Sequence, residues 1–140
     1  MADTLKQRPV YRNIQITQLP HYRLPPSGWV SILHRISGAL MFLLLPFVIW
    51  LFDASVTSEV SYGEFSSLFQ AGWSGIPGWF FKLVVLALIW GYVQHFLGGL
   101  RHVWMDMTHS TGLEFGRTTA LATLVATAVL TLALGFKLFF

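Results

Sequence analysis

The chain has no cysteine among its 140 residues. That excludes disulfides, iron–sulfur clusters carried on cysteine and a thiolate-ligated haem within this polypeptide. Charge is scarce as well. Asp, Glu, Lys and Arg make up 11% of the sequence, against about 25% in ordinary soluble domains. The net charge of +3 rests on few groups, so nucleic acid is a poor candidate for a partner. There is no phosphate-cradling glycine loop either. What the chain has in quantity is apolar surface: 54% of its residues are hydrophobic and the mean hydropathy is +0.60. An all-α integral membrane protein is expected, short enough to form a single domain.

Three runs carry the membrane reading. Ile36 to Phe52 and Thr118 to Phe136 contain no Asp, Glu, Lys, Arg or His, and Leu83 to Leu100 contains only His95. Each is close to the roughly 20 residues needed to cross about 30 Å of hydrocarbon. Semi-polar flanks such as Ser31 to Arg35 and Gly78 to Lys82 complete them. Three transmembrane helices are expected, at about 29–53, 78–107 and 116–139, forming a domain over 29–140. The first run starts too late, is too long and lacks the small-residue cleavage site of a signal peptide. Residues 1–28 read as a polar segment with Lys6, Arg8, Arg12 and Arg23 and with Pro9, Pro20, Pro25 and Pro26, prolines dense enough to prevent a long helix. Pro25-Pro26-Ser27-Gly28 reads as the turn into the first helix, with Ser27 as its N-cap.

Charge sets the expected topology. The N-terminal segment carries four basic residues, whereas the first connection (Asp53 to Trp79) holds Asp53, Glu59 and Glu64 and no Lys or Arg. Arg101 and Arg117 flank the second connection. The positive-inside bias then puts the N-terminus and second loop in the cytoplasm and the first loop and C-terminus outside, Lys137 alone opposing.

His95 is the one ionisable group at mid-membrane depth. An imidazole in hydrocarbon is costly and is kept for a ligand, a proton relay or a partner contact. Gly98 and Gly99 follow at i+3 and i+4, leaving bare the helix face beside it, where a flat prosthetic group could approach. A haem ligand fits this pattern, and so does a histidine bonded to a neighbouring helix with glycines that merely permit close packing. His34, Arg35, Arg101 and His102 lie together at the cytoplasmic boundary, Arg101 about 9 Å along the helix from His95. They could pair with haem propionates, or the arginines could be plain interfacial anchors. Ser31 and Arg35, an i,i+4 pair, could donate to the carbonyl of a quinone, or serve capping and headgroup contact.

The remainder reads as structure. Thr119, Thr123, Thr127, Thr131 and Gly135 make a small-residue ridge suited to helix packing. Trp79, Trp90, Trp104 and Phe139-Phe140 suit an aromatic belt. Asp106, i+4 from His102, is placed to orient it, and His109 reads as a solvated loop group. Residues 53–77 read as a loop without legible chemistry.

Two segments, Ser31-Ile-Leu-His-Arg-Ile-Ser-Gly38 and His95-Phe-Leu-Gly-Gly-Leu-Arg-His-Val-Trp-Met-Asp106, resemble the signatures of the larger cytochrome b membrane-anchor subunit of succinate dehydrogenase, respiratory complex II. Gln7-Arg8-Pro9 resembles that family's N-terminal region, and the likeness covers nearly the whole chain in the same order. The resemblance implies His95 as an axial ligand of haem b, Ser31 and Arg35 at the ubiquinone site, and His34, Arg35 and His102 near the haem propionates. Roles for His102 and Asp106 within the pattern are less defined. It further implies a non-dehydrogenase subunit of a multi-subunit helical bundle. Its partners would be a flavoprotein that oxidises succinate, an iron–sulfur relay subunit and a smaller anchor subunit that supplies the other haem ligand. The implied setting is the bacterial cytoplasmic (inner) membrane rather than the mitochondrial inner membrane. A fumarate reductase anchor running in reverse, a free-standing membrane b-type cytochrome and a haemless structural or transport subunit are the rival classes.

Overall fold

In the computed structural model, residues 15, 17, 18 and 22–140 are described. Lys6, Arg8, Arg12, Pro9, Pro20 and the Gln7-Arg8-Pro9 segment lie outside them. Among the described residues the architecture is all helical, five α-helices and no strand: α1 (Pro26–Leu43), α2 (Leu45–Val56), α3 (Glu59–Gln70), α4 (Gly78–Thr108) and α5 (Leu113–Phe139).

α4 and α5 are each long and apolar enough to cross a membrane. They form an antiparallel hairpin through residues 109–112, whose register is fixed at both ends. Arg101 reaches the first turn of α5, while at the far end Leu86 abuts Gly135 and the Lys82 ammonium lies 5.6 Å from the Phe139 ring centroid. The threonine ridge of α5 faces inward, with Thr123, Thr127 and Gly135 buried. His109 is exposed and closes α4 in the left-handed region at φ 53°.

The single first helix expected over 29–53 is instead a bent pair. α1 and α2 meet at Leu44 with an angle of 54° between them. The cause is Pro46, which has no N–H to donate and whose ring clashes with the carbonyl four residues back, at Phe42. The ladder resumes around it through Leu44 N–H to Leu40 O and Val48 N–H to Leu44 O, both 3.0 Å. Taken as one unit, the pair gives the bundle its third candidate span.

The expected loop over 53–77 is mostly helix. Ser58 caps α3 reciprocally: its hydroxyl accepts from Ser61 N–H at 3.1 Å, and its own N–H donates to the Ser61 hydroxyl at 2.9 Å. That is a serine version of the capping box, easily passed over because the third residue is usually Glu or Gln. α3 lies against α2 and α4 through the buried Leu68. The return to α4 needs glycine three times, Gly75 among them at φ +84°. Gly72 takes φ +94°, and a Cβ on Gly78 would overlap the Phe69 carbonyl.

The other helix ends shift slightly: α1 begins at Pro26, α4 ends at Thr108 and α5 begins at Leu113. Ser27 is not an N-cap. Pro25 holds that position with no side-chain cap bond, and the Ser27 hydroxyl instead donates to the Gly116 carbonyl of α5 at 2.9 Å.

Candidate functional site

Three histidines meet where α1 crosses α4. The crossing is close because each helix offers glycine to the other: Gly38 of α1 faces the His95 ring, and Gly98 and Gly99 of α4 face His34. The face expected to lie bare for a prosthetic group is therefore occupied by His34. Its ring stacks on that of His95, with centroids 4.1 Å apart and planes 11° off parallel. His102 meets His34 edge-on at 5.4 Å and 74°.

The protonation of His95 follows from its partners. Its Nδ1 lies 3.0 Å from the His34 carbonyl oxygen, which can only accept, so Nδ1 carries the proton and donates. The Ser37 hydroxyl donates to that same carbonyl at 2.9 Å and lies 3.5 Å from His95 Nδ1. Ser37 is fully buried, so ring and carbonyl are held by a fixed, dry contact. The Nε2 lone pair is left as the basic site of the ring. A backbone carbonyl on Nδ1 that fixes the tautomer is the usual support of a metal-binding imidazole.

Glycine tolerance at the crossing is graded. A Cβ on Gly98 would stand 3.0 Å from His34 Cδ2 and 3.4 Å from its Cβ, whereas one on Gly99 meets only Nε2, at 3.5 Å. Gly98→Val is expected to cost about 1–3 kcal/mol through overpacking, read as a lower denaturation midpoint in detergent. Gly99→Ala should leave the midpoint near that of the parent; equal sensitivity at both positions would show that the contact is not specific to Gly98.

The sequence profile of the succinate dehydrogenase/fumarate reductase transmembrane subunit family matches residues 4–134. The chain belongs to this family. The chain is 30% identical over 124 residues to the succinate dehydrogenase cytochrome b556 subunit of Coxiella burnetii, covering 88% of this chain and 90% of that protein. With the subunit of the same name from Paracoccus denitrificans it shares 30% identity over 140 residues, covering 97% and 98%. The chain is thus a transmembrane subunit of the cytochrome b kind, and its relatives belong to an enzyme complex.

Within this family member the remaining expected residues divide. Ser31 and Arg35 share one face of α1, with Ser31 half-buried and Arg35 exposed. The hydrogen bonds that tie this end of α1 down engage Ser27 rather than either of them. Asp106 is exposed, and no hydrogen bond joins it to His102 among the described residues, so the expected orienting contact is not formed.

Arg101 is more than an interfacial anchor. It is 8% exposed and donates from Nε to the Thr119 hydroxyl at 3.1 Å and from Nη2 to the Gly116 carbonyl at 3.1 Å. Nη2 also lies 3.5 Å from the Ser27 hydroxyl. One guanidinium thereby joins α1, α4 and α5. Ser37, Ser27 and Pro46 were not legible as supporting residues from motif spacing alone. Pro46 did carry a signal, a proline inside an apolar run.

Proposed function

We propose that this chain is the larger membrane-anchor subunit of a succinate:ubiquinone oxidoreductase, holding haem b through His95 and helping to form the quinone-reduction site with Ser31 and Arg35. The observation that carries the haem assignment is the His95 Nδ1 contact with the His34 carbonyl at 3.0 Å. It commits one ring nitrogen and reserves Nε2 for iron. The cytochrome b556 name of the relatives supports the same cofactor. His34, His102 and Arg35 would supply the propionate environment, as donors at one end of the three-span bundle. Bound there, haem b supplies a one-electron carrier at membrane depth.

The chain's own residues account for the rest of the role. The α1–α4 crossing fixes the His95 ring through the stack with His34 and the buried Ser37. Ser31 donates a neutral hydrogen bond and Arg35 a charge-assisted one to a quinone carbonyl, favouring the reduced, more anionic oxygen. Lacking cysteine, the chain depends on companion flavoprotein and iron–sulfur subunits for electrons. A topology with the N-terminus and the α4–α5 turn in the cytoplasm of a bacterial inner membrane follows from the basic residues on those segments. Fumarate reduction by the same anchor is the second reading, favoured by a family that spans both directions.

The test separates quinone chemistry from assembly. Ser31→Ala and Arg35→Lys in the whole complex are expected to lower succinate:quinone reductase activity while leaving succinate oxidation by a soluble artificial acceptor intact. Lysine keeps the charge of Arg35 but loses its planar donor fork. Loss of one hydrogen bond to a bound carbonyl corresponds to about 1–3 kcal/mol, roughly ten- to a hundredfold in efficiency. Equal losses in both assays would mean misassembly, and no loss in either would place the quinone elsewhere.

A further inference from the structure

Between α4 and α5 runs a lateral groove of about 490 Å³, walled by Leu97, Leu100, Trp104, Ala122 and Ala126. Of the residues lining it, Arg101 alone is charged. This cation is buried, and its partners are all neutral: Thr119 Oγ1, the Gly116 carbonyl and Ser27 Oγ. Three acceptors face a guanidinium with five N–H donors, and none of the three carries charge. Among the described residues no carboxylate pairs with it. A buried guanidinium without a counter-anion is costly, and more so beside hydrocarbon than beside water.

The shape of the groove completes the pattern. From Thr119 beside Arg101 to Ala126 it follows α5 for seven residues, about 10 Å, and apart from Arg101 and the threonine hydroxyls its walls are the apolar side chains of Leu, Ala, Met105 and Trp104. Arg117 stands exposed on the turn of α5 that carries Gly116, and the indole of Trp104 is exposed at the same end. A cation at the mouth of an apolar slot is the negative image of an amphiphile with an anionic head and an alkyl tail. Phosphate oxygens match the guanidinium fork in charge and geometry. The nearby Arg117 disfavours a headgroup that carries its own quaternary ammonium.

We propose that this groove binds an acidic phospholipid, its phosphate on Arg101 and one acyl chain laid between α4 and α5. The site lies between α4 and α5, apart from the α1–α4 histidine crossing, and is independent of the haem and quinone assignments. The bound lipid neutralises the buried cation and seals the hairpin, so it stabilises the junction of Arg101 with Ser27 and Gly116.

The experiment uses the intact complex, delipidated in mild detergent and titrated separately with phosphatidylglycerol, phosphatidylcholine and inorganic phosphate. Bound lipid is counted by native mass spectrometry, and the thermal midpoint is recorded alongside. Two variants are compared with the parent: Arg101→Gln, which removes the cation, and Ala126→Phe, which fills the tail slot while leaving the Arg101 hydrogen bonds in place. The expected result is one phosphatidylglycerol fewer per complex in each variant, with loss of the lipid-induced rise in midpoint. Phosphatidylcholine should not restore that rise in the parent. Should Arg101→Gln fail to assemble, Ala126→Phe alone decides. Equal phosphatidylglycerol retention by parent and Ala126→Phe overturns the proposal, as does equal stabilisation by phosphatidylcholine. Stabilisation by inorganic phosphate alone overturns it too, since it would mean an anion site with no place for a tail.

Discussion

His95→Leu is expected to abolish the b-type absorption of the complex while leaving the chain inserted in the membrane. Leucine favours the helix and the bilayer at least as well as histidine, so α4 retains its span. What disappears is the ring whose Nδ1 is tied to the His34 carbonyl and whose Nε2 is the nitrogen left to bind iron in the proposed site. A reduced-minus-oxidised spectrum of membranes, normalised to the amount of this chain by immunoblot, reads the loss directly. Retention of the parental spectrum and haem stoichiometry would refute the ligand assignment and leave His95 as a packing residue of the α1–α4 crossing. Loss of the chain along with the haem would instead report failed insertion. His95→Gln, which keeps a polar hydrogen-bonding group at the crossing, then separates the two effects.

The second large effect concerns haem geometry in the chain expressed alone, which is expected not to yield a six-coordinate low-spin b haem. A low-spin haem in electron transfer takes two strong axial ligands. The nearest imidazole to His95 is that of His34, and the two rings are stacked. Stacked rings present faces to one another, so their in-plane lone pairs cannot converge on one iron from opposite sides. His102 lies edge-on to His34, two turns along α4 from His95. The three histidines at the crossing are not arranged to hold a metal ion by themselves, and no other group of three or more His, Asp or Glu is so arranged among the described residues. The second ligand is therefore expected from another polypeptide, a smaller anchor subunit with its own membrane histidine. Haem loss should then loosen that heterodimer as well. Electron paramagnetic resonance of this subunit purified without partners is the check. A bis-histidine low-spin signal at one haem per monomer would end the two-chain account, and one haem per homodimer would replace it with a symmetric pair.

Much of the layout was legible because a bilayer imposes simple arithmetic. The uncharged runs with their semi-polar flanks place spans at 78–107 and 116–139, within three residues of the observed ends of α4 and α5, since burying a charge in hydrocarbon is prohibitive and about 20 residues are needed to cross. The family was legible for a different reason: Ser31-x-x-His34-Arg35-x-x-Gly38 and His95…Arg101-His102…Asp106 are specific side chains at helical spacings. Residues 53–77 were not legible, because a helix start built on Ser58 and Ser61 looks like any polar linker until the reciprocal bonds form.

The sequence by itself determined the class of the protein, the places where charge cannot go and the one imidazole within an otherwise uncharged run, because composition and spacing act along a single chain. The tertiary structure decided what those groups touch. Only the close α1–α4 crossing turns Gly98 from an open face into a seat for His34, and only there does the His34 carbonyl fix the His95 tautomer. Only the α4–α5 hairpin turns Arg101 from an interfacial arginine into a buried tie among three helices. Contacts of this kind join residues 61, 15 and 74 positions apart. Their energies depend on helix separation and rotation, which packing sets and no local pattern encodes.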